Sequence, residues 1–140
     1  MDVKGKWTGY YQYGVGYNLP FFAERVKIDV TLVTDSLGNI QGTMTERHDS
    51  YAVPLESSIK GFIDFELISF IKSYDASPEI KEDYSGIEIG KGSLNVDYSG
   101  LVDQKNGALY GEWVIEEKFV NNDGQNDIEF FTGIWMLKRP

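Results

Sequence analysis

Hydrophobic and polar residues alternate with a period of two along most of the chain. In the clearest run, at 25–32, Val26, Ile28, Val30 and Leu32 share one parity, and charged or hydroxyl side chains occupy the other. Because successive side chains of a strand point to opposite faces, this pattern predicts a strand with one buried face. Similar runs predict eight strands, near 3–13, 24–34, 39–48, 57–64, 66–74, 92–102, 107–118 and 127–139. Helical periodicity is hard to find anywhere in the chain.

Six of the predicted strands carry a glycine near the middle, with the same parity as the large apolar residues two positions away. These glycines are Gly9, Gly42, Gly61, Gly100, Gly111 and Gly133. Chance is the alternative explanation, since the chain has 15 glycines. Glycine weakens a flat strand, so its recurrence at inward positions indicates sharp bends or close backbone approach inside a barrel wall.

Eight consecutive strands joined by hairpins predict an all-β fold, an eight-stranded antiparallel up-and-down barrel. Closure of the sheet removes the unpaired edge strands that an open sheet would leave. A two-sheet sandwich is the alternative. A chain of 140 residues is of the usual size for one domain, so we expect a single barrel domain over 1–140.

Loop lengths predict which end of the barrel is open. The connections after the second, fourth and sixth strands are short, at 35–38, near 65 and at 103–106. Those after the first, third, fifth and seventh strands are longer, at 14–23, 49–56, 75–91 and 119–126. Alternate hairpins of such a barrel lie at opposite ends, so the long loops gather at one end, where binding residues are expected.

The inward faces of the odd-numbered strands change from apolar to polar toward that end. The predicted ligand-binding residues are Tyr11, Tyr13, Met44, Glu46, His48, Phe70, Lys72, Tyr74, Trp113 and Trp135. Apolar walls with a few polar groups at the opening are typical of a pocket for a small, largely apolar ligand. A solvated rim without any ligand explains the same polarity equally well.

Two further interpretations stay open. Glu46 and His48 share one parity near Lys72, and these three residues are candidates for acid–base catalysis of an isomerase or lyase type. A rim salt bridge beside a solvated histidine is the alternative that we favour over catalysis. Outward apolar residues also predict contact between copies in a homo-oligomer, and a structural protein with a filled barrel is the corresponding alternative. They are Phe62, Ile71, Phe130, Ile134 and Met136.

The composition argues against several classes of partner and cofactor. The net charge is −9 and no basic patch is visible, so we expect no nucleic-acid partner and no membrane partner. The chain has no cysteine and one histidine, so we expect no metal and no cofactor. Residues 1–7 contain no apolar stretch, and no window approaches the length of a membrane helix, which predicts a cytoplasmic protein.

The two ends of the chain resemble those of known barrels. Gly5-Lys6-Trp7 resembles the Gly-x-Trp signature that opens the first strand of lipocalins, and with Thr8 it is similar to the opening of avidin. The last strand ends in Arg139, as the final barrel strand of many lipocalins does. This resemblance to the calycins implies that Trp7 and Arg139 stack as a structural pair at the closed end.

The segments 8–14, 68–74 and 109–113 also resemble small bacterial lipocalin-like proteins of unassigned function. Biotin is not expected as the ligand. Gly9-Tyr10-Tyr11 replaces the polar first loop of avidin, and Met44 stands where avidin uses a tyrosine. A resemblance of fold alone names no ligand.

Overall fold

The structure is a computed structural model that describes residues 2–140 and contains ten strands, with no helix among those residues. The strands are β1 (Gly5–Tyr13), β2 (Arg25–Thr34), β3 (Asn39–Glu46), β4 (Ser57–Asp64), β5 (Leu67–Tyr74), β6 (Ser77–Ile80), β7 (Ile87–Gly90), β8 (Leu94–Asp103), β9 (Ala108–Val120) and β10 (Asn126–Lys138). Residues 2–140 therefore include no helix of the length and hydrophobicity that a membrane crossing requires.

Eight of the strands form one closed antiparallel barrel in the order β1-β10-β9-β8-β5-β4-β3-β2. The predicted all-β, eight-stranded barrel is confirmed. The sandwich alternative is wrong, because β1 pairs with β2 on one side and with β10 on the other, which closes the sheet. The strands β6 and β7 pair only with each other, as a hairpin within the segment 75–91 that the sequence predicts as a loop.

The alternating residues of β2 show why the sheet closes around a core. Val26, Ile28, Val30 and Leu32 are each at most 2% exposed, and the residues between them are exposed. Burying one face of every barrel strand removes a large apolar area from water, which is the main favourable contribution to folding. The half of the barrel nearer the short turns is filled by packed side chains, including Trp7, Trp135 and Leu137.

The six mid-strand glycines lie at points of close backbone approach, which confirms that prediction. A Cβ atom built on each of them would lie between 1.8 and 2.0 Å from a carbonyl oxygen of a neighbouring strand. Gly100 of β8 and Gly111 of β9 are directly paired, so two strands meet there without side chains on the inner face. Only glycine, which has no Cβ, allows the backbones to approach this closely. The strands can therefore bend around a narrow barrel.

Short turns at 35–38, 65–66 and 104–107 close one end of the barrel. Residues 2–4 cross this end, with Val3 buried and its carbonyl accepting a hydrogen bond from Trp7 Nε1 at 2.8 Å. The Arg139 guanidinium lies 4.1 Å from the centre of the Trp7 ring and donates to the carbonyls of Lys4 and Asp2, each at 2.7 Å. The stacked pair thus ties the last strand to the start of the chain.

Segments 14–24, 47–56 and 75–93 lie at the other end, which we call the open end. The prediction of a fourth long loop at 119–126 is wrong. β9 continues to Val120 and β10 begins at Asn126. The turn between them is tight because the Asn121 side-chain oxygen accepts hydrogen bonds from the backbone amides of Asp123 and Gln125. The β9–β10 pair therefore rises beyond the barrel wall as a two-stranded ribbon.

The residues predicted to face outward do so. Phe62, Ile71, Phe130 and Ile134 are 43% to 55% exposed, and Met136 is partly exposed. Contact between copies through these residues stays a prediction.

Candidate functional site

The open end of the barrel contains a cavity of about 540 Å³. Its volume lies within the range of small-molecule pockets, about 300–1,000 Å³. Most of the wall and roof is aromatic or aliphatic, formed by Tyr11, Tyr13, Tyr17, Val53, Tyr74, Ile80, Tyr84, Ile87, Leu94, Val96, Tyr98, Trp113, Ile115 and Phe131. The charged lining residues are Lys72, Glu79, Lys81, Glu82, Glu117 and Glu129.

The β6–β7 hairpin forms part of the roof. Ile80 and Ile87 pack against the buried core of the barrel. The Asn18 side-chain amide donates to the Tyr84 hydroxyl at 3.2 Å, which links the hairpin to the segment 14–24. Side-chain contacts, and not pairing with barrel strands, hold this element over the cavity.

Tyr13 contacts the segments 14–24 and 47–56 at the mouth of the cavity. Its hydroxyl donates to the carbonyl of Tyr51 at 2.5 Å, within the segment 47–56. Phe21, from the segment 14–24, is fully buried, with its ring centre 5.4 Å from that of Tyr13 and 5.1 Å from that of Tyr51. These edge-to-face contacts fix both segments on one side of the opening.

The buried carboxylate of Glu46 lies just outside the lining of the cavity, at its inner end. The Glu46 side chain has no exposed surface, and four groups donate to it. Oε1 accepts from the Tyr11 hydroxyl at 2.5 Å and from the Val53 amide at 2.8 Å. Oε2 accepts from Lys72 Nζ at 3.2 Å and from the Tyr74 hydroxyl. We call these five groups the Glu46 cluster. Such charge-assisted bonds offset the cost of burying the carboxylate.

Lys72 belongs both to the cluster and to the cavity wall. Its Nζ lies 4.6 Å from the ring centre of Tyr11, 4.8 Å from that of Tyr74 and 5.9 Å from that of Tyr98. Burial lowers the pKa of Lys72, and the Glu46 carboxylate acts in the opposite direction. The ammonium is therefore stabilised by one carboxylate and by ring faces.

The buried tyrosines remain neutral phenols. Burial raises the pKa of Tyr11, Tyr74 and Tyr98 well above the usual range, because a phenolate would lose its hydration. Tyr11 and Tyr74 thus keep the protons that they donate to Glu46. The arrangement can orient a polar group of a bound molecule without changing its own charge.

Five of the predicted ligand-binding residues line the cavity: Tyr11, Tyr13, Lys72, Tyr74 and Trp113. Glu46 lies behind the wall, where it fixes three of them through hydrogen bonds.

Three other predicted residues, Met44, Phe70 and Trp135, are buried in the filled half of the barrel and do not line the cavity. The Phe70 ring stacks on Tyr98 with ring centres 4.8 Å apart, and Trp135 packs edge-on against Phe70 at 5.5 Å. Phe70 and Trp135 both pack on Tyr98, which lines the cavity, and thus form its floor. The interior is filled at one end and open at the other.

The prediction that His48 faces the interior is wrong. β3 ends at Glu46, the amide of Arg47 donates to the carbonyl of Lys27, and the chain then turns across the mouth with His48 exposed. Strand alternation no longer applies after the strand has ended. His48 is not among the four groups that donate to Glu46, so only Glu46 and Lys72 of the three acid–base candidates come together.

Parity along the odd-numbered strands missed several cavity residues. Leu94, Val96 and Tyr98 are on β8, which begins at the open end, so the first inward positions of an even-numbered strand also lie there. The same parity rule, read from the start of that strand, would have found them. Val53 and Ile80 come from segments without strong alternation and gave no such signal.

Trp113 carries an unusual polar group. Its Nε1 is buried and has no hydrogen-bond partner in the described part of the chain. Its ring centre lies 6.0 Å from that of Tyr11 and 5.9 Å from that of Tyr17, both of which also line the cavity. An unpaired buried donor is uncommon and costs free energy.

Across residues 2–140, no three histidine, aspartate or glutamate side chains are placed to hold a metal ion together. No protein-family model matches the chain, and no curated protein matches its sequence.

Proposed function

We propose that this protein binds a small, largely apolar molecule in the cavity at the open end of its barrel. The observation that carries the proposal is the cavity of about 540 Å³, lined mainly by aromatic and aliphatic side chains and roofed by the β6–β7 hairpin. Apolar walls supply affinity, and a few placed polar groups supply orientation.

The Glu46 cluster supports the same proposal. It holds the side chains of Lys72, Tyr11 and Tyr74 in fixed positions at the inner end of the cavity. Groups fixed before binding lose little conformational entropy when a ligand arrives, which favours affinity.

We further propose that the barrel is lipocalin-like, as the motifs at the two ends of the chain suggest. The antiparallel barrel order and the contact of Arg139 with Trp7 support this assignment. The lack of cysteine fits a reducing compartment, so a cytoplasmic location stays our prediction.

Contact quenching of tryptophan fluorescence tests the binding proposal. Trp113 lines the cavity, whereas Trp7 and Trp135 are buried in the filled half. We expect 2-bromonaphthalene, which quenches an indole at close range, to quench the wild-type protein with saturation. The Trp113→Phe variant should lose most of that quenching.

The matched control is Trp7→Phe, which removes an indole at the closed end and should leave the saturable quenching in place. Absence of saturable quenching in the wild-type protein would count against a binding cavity. Equal quenching in Trp113→Phe would show that the probe binds elsewhere.

A further inference from the structure

We infer that the ligand is electrically neutral and carries a carbonyl oxygen, which accepts a hydrogen bond from Lys72 at the inner end of the cavity. This inference rests on the proposed function, because it names the chemistry of the molecule that the cavity would bind.

The strongest acceptor at the inner end of the cavity, the Glu46 carboxylate, is already occupied. A carboxylate offers about four lone-pair directions, and Glu46 receives four donors. The phenol oxygens of Tyr11, Tyr13 and Tyr74 donate their protons and keep lone pairs, but a neutral phenol is a weaker acceptor than a carboxylate. A ligand group that can only donate therefore finds phenol oxygens there and not the carboxylate.

Lys72 has more N–H groups than it has oxygen partners. The ammonium of Lys72 has three N–H groups, and one oxygen, Oε2 of Glu46, lies within hydrogen-bond distance of its Nζ. The rings of Tyr11 and Tyr74 beside it are weaker acceptors than an oxygen. Trp113, on the same cavity, has a buried Nε1 without a partner. The complementary ligand group is an acceptor.

Charge distinguishes a neutral acceptor from an anion. Lys72 is already paired with Glu46, so the inner end has no uncompensated positive charge. Four carboxylates, Glu79, Glu82, Glu117 and Glu129, line the cavity with one further lysine, Lys81, and Glu117 is directly opposite Glu129 on the paired strands. An anionic ligand would approach these like charges, and a cation at the inner end would meet Lys72. A neutral carbonyl avoids both costs.

Three probes of nearly the same shape test the inference on the full chain. They are 2-acetylnaphthalene, 2-isopropenylnaphthalene, which replaces the carbonyl oxygen with CH₂, and 2-naphthoate, which is anionic. An apolar pocket with no donor would prefer the hydrocarbon, which is the least soluble in water. We expect calorimetric titration to show the ketone binding about tenfold or more tightly than either of the others.

The outcomes separate the two proposals. If none of the probes binds, the proposed function is contradicted. If the hydrocarbon binds as tightly as the ketone, or the naphthoate binds most tightly, the proposed function stands and the inference of a neutral carbonyl ligand is overturned.

The role of Lys72 has its own test. The double variant Glu46→Gln/Lys72→Met removes both charges at once, so no unpaired charge is left inside the protein. We expect it to lose the preference for the ketone over the hydrocarbon. The control variant Lys60→Met changes an exposed lysine on β4 and should keep the preference. Retention of the preference in a folded double variant would overturn the role of Lys72.

A measurement on the wild-type protein does not depend on the folding of a variant. A hydrogen bond from an ammonium weakens a C=O bond, so the carbonyl stretch of bound ¹³C-labelled 2-acetylnaphthalene should lie at a lower frequency than in hexane. A stretch at the hexane frequency would contradict the inference.

Discussion

Burying an ion pair costs free energy unless each charge keeps its partners. The Glu46 and Lys72 side chains are 0% and 2% exposed and lie 3.2 Å apart. Removing one member leaves the other charged and unpaired in a medium of low dielectric constant, whereas removing both does not. Each buried charge of the Glu46 cluster therefore needs its partner to avoid lowering the stability of the protein.

We predict that Glu46→Gln lowers the free energy of unfolding by about 3–5 kcal/mol, because Lys72 is left without a carboxylate. The double variant Glu46→Gln/Lys72→Met should lose less than the single variant. The exposed pair Asp29–Arg47, at 3.1 Å, is the matched control, and Asp29→Asn should cost less than about 1 kcal/mol. Urea unfolding measures all three, and equal losses for Glu46→Gln and Asp29→Asn would contradict the account.

Tyr98 gives a prediction for alkaline pH. Burial raises its pKa in the folded protein above the value of about 10 in the unfolded chain. Its contribution to stability is fully present below pH 10 and is lost as the pH rises toward the folded-state pKa, because the unfolded chain releases its proton first. Each such group contributes a slope of up to about 1.4 kcal/mol per pH unit.

Tyr98→Phe should therefore reduce the fall in stability between pH 10 and pH 11. Burial lowers the pKa of Lys72, so its contribution makes stability rise with pH up to the ordinary lysine value of 10.5, and Tyr98→Phe keeps the ring face beside Lys72. Denaturant unfolding at a series of pH values measures the effect. The same slope in both proteins would show that Tyr98 ionises as readily in the folded state as in the unfolded chain.

Side-chain parity predicted Glu46, Lys72, Tyr11 and Tyr74 as interior polar residues, because a buried strand face fixes direction. It did not predict that the Val53 amide completes the cluster, since a main-chain donor in a segment such as 47–56 leaves no residue-type signal. It failed for His48 because the rule was applied beyond the end of the strand.

Among the elements, the barrel strands were the most predictable and the β6–β7 hairpin the least. The eight barrel strands have long alternating runs, and six of them carry an inward glycine. The hairpin strands span four residues each, Ser77–Ile80 and Ile87–Gly90, which is too short for a clear period. Their position over the cavity depends on tertiary contacts of Ile80 and Ile87.

The inward glycines predict a strong position dependence of glycine-to-alanine substitutions. A Cβ at Gly61 would lie 2.0 Å from the carbonyl oxygen of Ser69, so Gly61→Ala forces two backbones apart and should cost about 1–3 kcal/mol or more. At Gly86 the nearest atom would be 3.5 Å away, and Gly86→Ala should change stability by less than about 1 kcal/mol. Thermal unfolding compares them, and an unaffected Gly61→Ala would contradict the close approach.

At the scale of the whole molecule, the barrel divides into a filled half and a cavity. Loop lengths predicted the open end, and the cavity lies there, beneath the segments 14–24, 47–56 and 75–93. The depth of the filled half was not predictable from parity, because alternation says that a side chain faces inward and not how much space remains beside it. Phe70 and Trp135 have inward parity and lie in the floor.

A substitution that fills the cavity tests the central claim most directly. Val96 is buried on β8, lines the cavity and is paired with Lys72, whereas its neighbour Asn95 points outward. In calorimetric titration with 2-acetylnaphthalene, we predict that Val96→Phe weakens binding at least about tenfold and that Asn95→Phe binds as the wild-type protein does. Undiminished binding by a folded Val96→Phe variant would contradict the assignment of this cavity as the binding site.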